Sequence, residues 1–458
     1  MERHATRSRI SMRLSLLLGA IAVVAFAQES SGPRESTFVD PKPRSEDAPK
    51  IDWLKKNAIS IRTIDPDDDD FADLMPLKKV IGDARVVQLG EQSHGDGATF
   101  YAKERLIRFL HEQMGFDVLA WESGFFDCEE MNKAIGSDMP ALQAAQRGVF
   151  SIWTLGGLMT PLFDYTRATL KMDRPLHHTG LDIQFTSPNN GFIDVVNELD
   201  KAVASYADKQ MVAGAIRAIN TQTYKPGNDE IAAIQAAAAR IAEALRKHAA
   251  EGTDSRRMQF LAKSFENFSA LTHLRAQNMT SLMAGPDASF RDIKMGENLI
   301  WQANEWYKGK KIIVWAASMH IARNVARIDT RMPQLSYKGY RTMGQVVDEA
   351  LGRSAYTIAF TAYTGKAANP RSAPQPLAPP EPESFETLLH AAGKPYALVD
   401  FRSLPKDHWL RGQVISRPLG YAPMLSDWTG NFDAMIFTDV MFPNTPEGTV
   451  PAGVKTKR

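Results

Sequence analysis

Short apolar runs, set far apart along the chain, constrain its fold more than any other feature. They lie at 85–89, 117–121, 311–315, 356–360, 396–399 and 434–437, with a further strand candidate at 176–180. Continuous apolar runs of this length mark strands buried on both faces, because a strand with one wet face alternates instead. Between the first two runs, Tyr101, Leu106, Leu110 and Met114 recur at near-helical spacing over 98–114. A crossover that long joins parallel strands. The chain is therefore read as α/β, with a mainly parallel sheet flanked by helices. Residues 190–290 break the pattern. There, 230–250 is Ala-rich with Ile231, Ile234, Ala238, Ile241 and Leu245 on one stripe, and 260–283 reads as a second helix. This region is expected to be a helical insertion lobe over the active-site edge of the sheet. The Pro-, Ala- and Ser-rich stretch 365–383 is expected to be a surface loop or flap.

Ligands of open α/β sheets bind beyond the carboxyl ends of the strands. The first run, Val86-Val87-Gln88-Leu89, passes through Gly90 into Glu91-Gln92-Ser93-His94-Gly95. This places a carboxylate and an imidazole three residues apart at such an end. The first four strands in chain order lead to His94, Glu122, Asp182 and His320. An unprotonated His94 can take a proton from water if a carboxylate fixes its tautomer, and Glu91 and Glu122 are both candidates for that role. His320 could polarise a carbonyl or protonate a leaving alkoxide. General acid–base help of this kind is worth roughly 10²–10⁴-fold. Bland readings stand beside these. His94 could cap a turn, Glu122 could pair with a structural cation, and Asp182 could serve the site or only the fold. His177 and His178 fall within a strand and read as packing or surface residues.

The same Glu91, His94, Glu122 and His320 are zinc or manganese ligands by type. However, Glu-x-x-His on a loop is not the helical His-Glu-x-x-His motif, and the expectation is a site without metal. No Gly-x-Ser-x-Gly elbow is present, and Ser93 and Ser123 lack its context. No Walker A or Gly-x-Gly-x-x-Gly motif appears, so no cofactor is expected.

Lys and Arg total 54 against 53 Asp and Glu, a formal charge of +1. That balance points to neither nucleic acid nor an anionic membrane surface. Arg7, Arg9 and Arg13 precede the apolar stretch 14–24, and Ala25-Phe26-Ala27 follows. This is the pattern of a secretory signal peptide over 1–27, so the mature protein is expected to be secreted or periplasmic, without stable membrane association. Residues 28–50 read as a disordered linker and 51–447 as the folded domain. The single Cys128 excludes an intrachain disulfide and reads as a small buried hydrophobe. The acidic run 65–70 is expected to favour a helix start at Phe71 rather than to form a calcium loop.

The order of several segments resembles the erythromycin esterase family. It begins at Asp69–Leu74, runs through Gly82–Gly95, and continues with Phe100, Lys103, Gly115-Phe116 and Trp121-Glu122. It returns at Gly180–Gln184, at Arg291-Asp292 with Met295 and Asn298, at Trp315–His320, and at Phe432–Ile436. The resemblance implies an α/β core with a helical lobe and a cleft between them. It also implies hydrolysis of a macrolide lactone ester, or another small-molecule ester or lactone, by activated water without a covalent intermediate. In it His94 takes the place of the general base, with Glu91 beside it. Glu122 matches the second catalytic carboxylate and His320 the later histidine. Lys103, Arg291 and Asp182 are assigned to substrate binding, with oxyanion stabilisation a further role for Lys103. A His three residues before the last one, followed by Asn, is typical of the family. Here those places are Ala317 and Ser318. The family's acidic residue after Trp153 is also missing. A metal-dependent hydrolase and a non-catalytic ligand-binding member of the family are the alternatives.

Overall fold

The computed structural model of the protein describes residues 38–186, 191–219, 224–252, 254–276, 288–368 and 373–454. The leader expected over 1–27 lies outside them. Within 28–50 the described part is irregular over 38–44 and regular from Ser45 onward. Helix α1 (Ala48–Asn57) begins three residues ahead of the expected boundary, with a Pro in its first turn. The buried Asp47 anchors that start by accepting from Lys50 at 2.7 Å and Arg44 at 3.1 Å.

The described strands are β1 (Ile59–Ser60), β2 (Val86–Leu89), β3 (Phe116–Gly124), β4 (His177–Asp182), β5 (Lys311–Trp315), β6 (Ala355–Ala367), β7 (Gln375–Pro376), β8 (Tyr396–Asp400), β9 (Val414–Ser416), β10 (Met424–Ser426) and β11 (Ala434–Met441). The main sheet has the order β1-β8-β11-β6-β2-β5-β3-β4, with β7 paired to the end of β6. From β11 to β4 all neighbours are parallel. Strand β8 runs antiparallel to β11, and β1 antiparallel to β8. Strands β9 and β10 form a separate antiparallel pair. The mainly parallel α/β reading is thus correct. The first two strands are parallel as expected but not adjacent, since β5 lies between them.

The continuous apolar runs follow from this layering. Val86, Val118, Ile312 and Val314 face one core, and their neighbours Val87, Leu119, Ile313 and Trp315 face the other. The second core is completed by α2 (Gly97–Met114) through Phe100, Leu106 and Leu110. Gly115, left-handed at φ 75°, ends α2 and turns the chain into β3. Helix α3 (Phe125–Ile135) leaves β3 directly.

The first core is completed by the lobe, made of α4 (Gly191–Glu198), α5 (Tyr206–Ile219), α6 (Asn228–Glu251) and α7 (Ser255–Ala276). Ile216, Ile234, Ile241, Phe265 and Phe268 of the lobe share one cluster with the sheet. Each fully buried side chain of this size contributes about 1.5–3 kcal/mol, so the lobe is bound to the sheet by a common core. Helix α8 (Phe290–Trp301) then returns the chain to β5.

The acidic run does not start a helix at Phe71. Residues 72–76 make turns and a short helix begins only at Leu77. Arginines take up the carboxylates instead: Arg62 holds Asp68 at 2.8 Å and the buried Arg105 holds Asp73 at 2.7 Å. Among the described residues, no helix is long and apolar enough to cross a membrane.

Candidate active site

The site forms where β2, β3, β4 and β5 end together. Gly90 lets the exit of β2 lie against the turn after β5, since a Cβ there would meet Ser318 Oγ at 2.5 Å. Backbone bonds lock this contact: Ser318 N–H donates to Glu91 O at 2.9 Å and Ala316 N–H to Leu89 O at 3.2 Å. The loop 91–96 is shaped by Asp96, whose carboxylate accepts from Ser93 N–H at 3.0 Å.

Glu91 is the hub of a first cluster. His94 Nδ1 lies 2.8 Å from Glu91 Oε1, so Nδ1 carries the proton and Nε2 is left as the basic nitrogen. Nε2 has no protein partner among the described residues, and the side chain is 9% exposed. Trp153 Nε1–H, from the short helix Ser151–Thr154, donates to the same Oε1 at 2.6 Å. Its ring stands edge-on to His94, with centres 5.4 Å apart at 83°. Lys103 Nζ donates to Oε2 at 2.9 Å and sits 3.8 Å from the centre of the Trp315 ring. Burial pulls Lys103 down to about 8, with the charge of Glu91 limiting the fall. The residue is 0% exposed, which leaves no surface for the substrate contact expected of it. Its ammonium bears on the site through Glu91.

Glu122 anchors a second cluster. It lies in a bulge, where the pairing of β3 with β4 shifts between Trp121 and Gly124. Bulges re-aim a side chain, and this one needs Gly180 opposite, where a Cβ would come within 2.2 Å of Gly124 O. Glu122 Oε1 accepts from His320 Nε2 at 3.1 Å and Arg291 Nη2 at 3.0 Å. Oε2 accepts from Ala317 N–H at 2.9 Å. His320 Nδ1 donates to Asp292 Oδ1 at 2.6 Å, and Asp292 Oδ2 accepts from Met343 N–H at 3.2 Å. Arg291 also grips the fully buried Asp182, through Nε at 3.0 Å and Nη2 at 2.6 Å.

These contacts fix the charges. Burial draws the His320 ring down, but Asp292 and Glu122 outweigh it and raise the ring to about 10. His320 is therefore an imidazolium at neutral pH, with both N–H groups donating to carboxylates. The 3.4 Å approach of Arg291 Nη1 to His320 Nε2 then brings two donors together and is not a hydrogen bond. Burial favours the neutral acid at Glu122, yet His320, Arg291 and His94 hold it well below the usual carboxylate range. Arg291 is raised in turn, as Asp182 and Glu122 overcome its burial. The influence of His94 on Glu122 ties the two clusters into one electrostatic unit.

All seven expected side chains, His94, Glu91, Glu122, His320, Lys103, Arg291 and Asp182, come together at this edge. Two further residues belong with them. Asp292 follows Arg291 in the matched stretch, but its hold on His320 has no local signal. Trp153 is an aromatic on a short helix whose indole reaches Glu91 only through the tertiary fold. At the position where the typical imidazole is replaced by Ala317, the backbone N–H serves Glu122. His178 is buried, accepting from Trp121 Nε1–H at 2.8 Å, and the half-buried His177 meets Glu129 at 3.1 Å, as expected for packing and surface residues. Among the described residues, no group of three or more His, Cys, Asp or Glu side chains is placed to hold a metal ion.

Comparison with known proteins places the chain among relatives. A sequence model described as erythromycin esterase matches residues 111–441. A putative hydrolase of Bacillus subtilis, YbfO, is 28% identical over 417 residues, covering 86% of this chain and 88% of the relative. An erythromycin esterase type II of Escherichia coli is 24% identical over 390 residues, covering 78% and 90%. Two solved structures share the fold. A succinoglycan biosynthesis protein superposes with a TM-score of 0.73 at 20% identity, over 89% of this chain and 100% of the other. An erythromycin esterase mutant in its open conformation gives 0.65 at 17% identity, over 87% and 99%.

Proposed function

The chain belongs to the erythromycin esterase family and is an esterase-like hydrolase; from that premise we propose that it cleaves a small-molecule ester or lactone with water activated by His94. The observation that carries this reading is the 2.8 Å bond from His94 Nδ1 to Glu91 Oε1, which leaves Nε2 as the open basic nitrogen.

In this mechanism Nε2 takes a proton from a water molecule while the water oxygen attacks the acyl carbon. The carbonyl π pair moves onto oxygen and forms a tetrahedral oxyanion. The imidazolium of His94 stays paired with Glu91, whose charge stabilises it. Positive charge held at His320 and Arg291 lowers the energy of the oxyanion, and such preorganised charge acts strongly in a site shielded from solvent. The oxyanion collapses, the acyl C–O bond breaks, and His94 returns its proton to the leaving alkoxide. Acid and alcohol leave with the base restored, and no acyl-enzyme forms.

The substrate is a small molecule presented between sheet and lobe, a macrolide lactone being one member of the class. Glu122 orients His320 and Arg291 rather than attacking the substrate, because both of its oxygens accept hydrogen bonds from protein donors. Export to the periplasm or the medium, after cleavage behind Ala27, is part of the proposal and rests on the charged, apolar and small-residue pattern of 1–27. N-terminal sequencing of protein from fractionated cells tests it.

The test of the chemistry is a screen of purified protein against macrolides, simple lactones and aryl esters, with His94→Ala alongside. Hydrolysis by the parent that collapses in the variant is the expected result. Equal hydrolysis by both would remove His94 from the reaction.

A further inference from the structure

Glu91 Oε1 receives two donors at once, His94 Nδ1 at 2.8 Å and Trp153 Nε1–H at 2.6 Å. A carboxylate oxygen shared in this way gives less to each partner, and the bond from a neutral donor to a charged acceptor is among the stronger hydrogen bonds in proteins. The indole therefore competes with the imidazole for the charge that makes the imidazole basic. The ring also confines His94 from the side, edge-on at 5.4 Å. Trp153 is 0% exposed, so no water can replace its N–H without a rearrangement.

We propose that Trp153 is a positioning residue that sets the basicity of His94 by drawing on the shared oxygen of Glu91. The indole acts as a fixed brake: by occupying the same oxygen it keeps the Glu91–His94 pair from tightening. This rests on the reading of His94 as the base for its kinetic consequence, but not for its physical content.

The charged groups around the pair are few. Lys103 from α2 donates to the opposite oxygen, Oε2, at 2.9 Å. Asp96, at the end of the same loop, is buried, and burial together with Glu91 raises its carboxyl well above the usual range. Glu122 from β3 interacts with His94 across the site. None of these touches Oε1, where the indole and the imidazole meet.

Three measurements test the inference. In Trp153→Phe the ring contact is kept and the N–H is lost. The acid limb of the kcat/KM profile should then move to higher pH by on the order of 0.5–1 unit. The same shift should appear in the His94 ring titration followed by NMR on histidine-labelled protein, which needs no turnover. In the parent protein, the Trp153 indole N–H resonance, assigned by its proximity to the His94 ring, should shift with pH at the same midpoint as that ring. A uniform loss of rate with no shift of the limb, or an indole resonance indifferent to the His94 titration, would overturn the proposal. Because the indole resonance is read in the unaltered chain, a variant that fails to fold does not rescue the idea. If no ester is hydrolysed but both NMR shifts occur, the proposed reaction fails while the coupling stands.

Discussion

Asp292 Oδ1 lies 2.6 Å from His320 Nδ1, and this contact is a main reason that a buried imidazole stays charged. Burial alone would drive the ring neutral. With Asp292 on one nitrogen and Glu122 on the other, the ring holds its proton up to about 10. If the charged ring stabilises the oxyanion, hydrolysis by the parent protein falls away only near that pH. Asp292→Asn should bring this alkaline limb down by on the order of 1–2 units, read from kcat/KM between pH 6 and 11. An unmoved limb would show that His320 is not the group that titrates.

The same ring links stability to pH. Its folded value of about 10 stands above the ordinary 6.5. A raised value of this kind contributes stability that is fully present below about 6.5 and lost as pH rises through about 10. The gap in thermal midpoint between the parent and His320→Gln should therefore be widest at pH 6 and narrow steadily toward pH 10. A gap that stays constant, or widens with pH, contradicts the assignment of charge.

Removing the proposed base should cost catalysis and little else. His94→Ala is expected to lower kcat roughly 10²–10⁴-fold. Glu91 keeps Lys103 and Trp153 as donors when the imidazole is gone, so the thermal midpoint should change only slightly. A variant that loses its fold along with its activity would point to a structural role for the loop 91–96.

Lys103 and Glu91 form an ion pair with both side chains fully buried. Breaking such a pair by removing one partner costs about 3–5 kcal/mol, since the other charge is left uncompensated. Lys103→Met should lose that much in chemical denaturation, and adding Glu91→Gln to the same chain should restore most of it. Independent, additive losses would mean that the two groups do not stabilise one another.

Gly180 tests the bulge. An alanine Cβ there would press on Gly124 O, 2.2 Å away, and on Ser123 O, 2.5 Å away. The bulge must shift and take Glu122 with it. A misplacement of about 1 Å can cost 10²-fold in rate, so Gly180→Ala should reduce kcat far more than KM. Full activity in this variant would show that Glu122 tolerates displacement.

Much of this was legible because strands covered on both faces write themselves into the sequence as unbroken apolar runs. The run 311–315 coincides with β5 residue for residue, and the stripe of Ile231, Ile234, Ala238, Ile241 and Leu245 is the buried face of α6. The pairing of these elements was not legible. That β5 slides between β2 and β3 depends on partners far apart in the chain, for which no local pattern exists. Two-residue strands such as β1 and β7 have no periodicity to read. Strand β3 continues past Trp121 because β4 keeps pairing with it beyond the bulge. The acidic run 65–70 looked like the start of a helix because its arginine partners, Arg62 and Arg105, are set by the tertiary fold. The site was visible as residue types at strand ends, while its wiring, with Trp153 on Glu91 and Asp292 on His320, depends on segments that meet only when the sheet has formed.

The lobe α4–α7 occupies one crossover, between β4 and β5, whereas the turns bearing His94 and His320 are stitched directly to each other across adjacent strands. If His94 and His320 act as proposed, they can thus stay constant while the lobe is lengthened, shortened or rewritten. A lineage built on this plan is free to change what it recognises without having to reinvent how it breaks the bond.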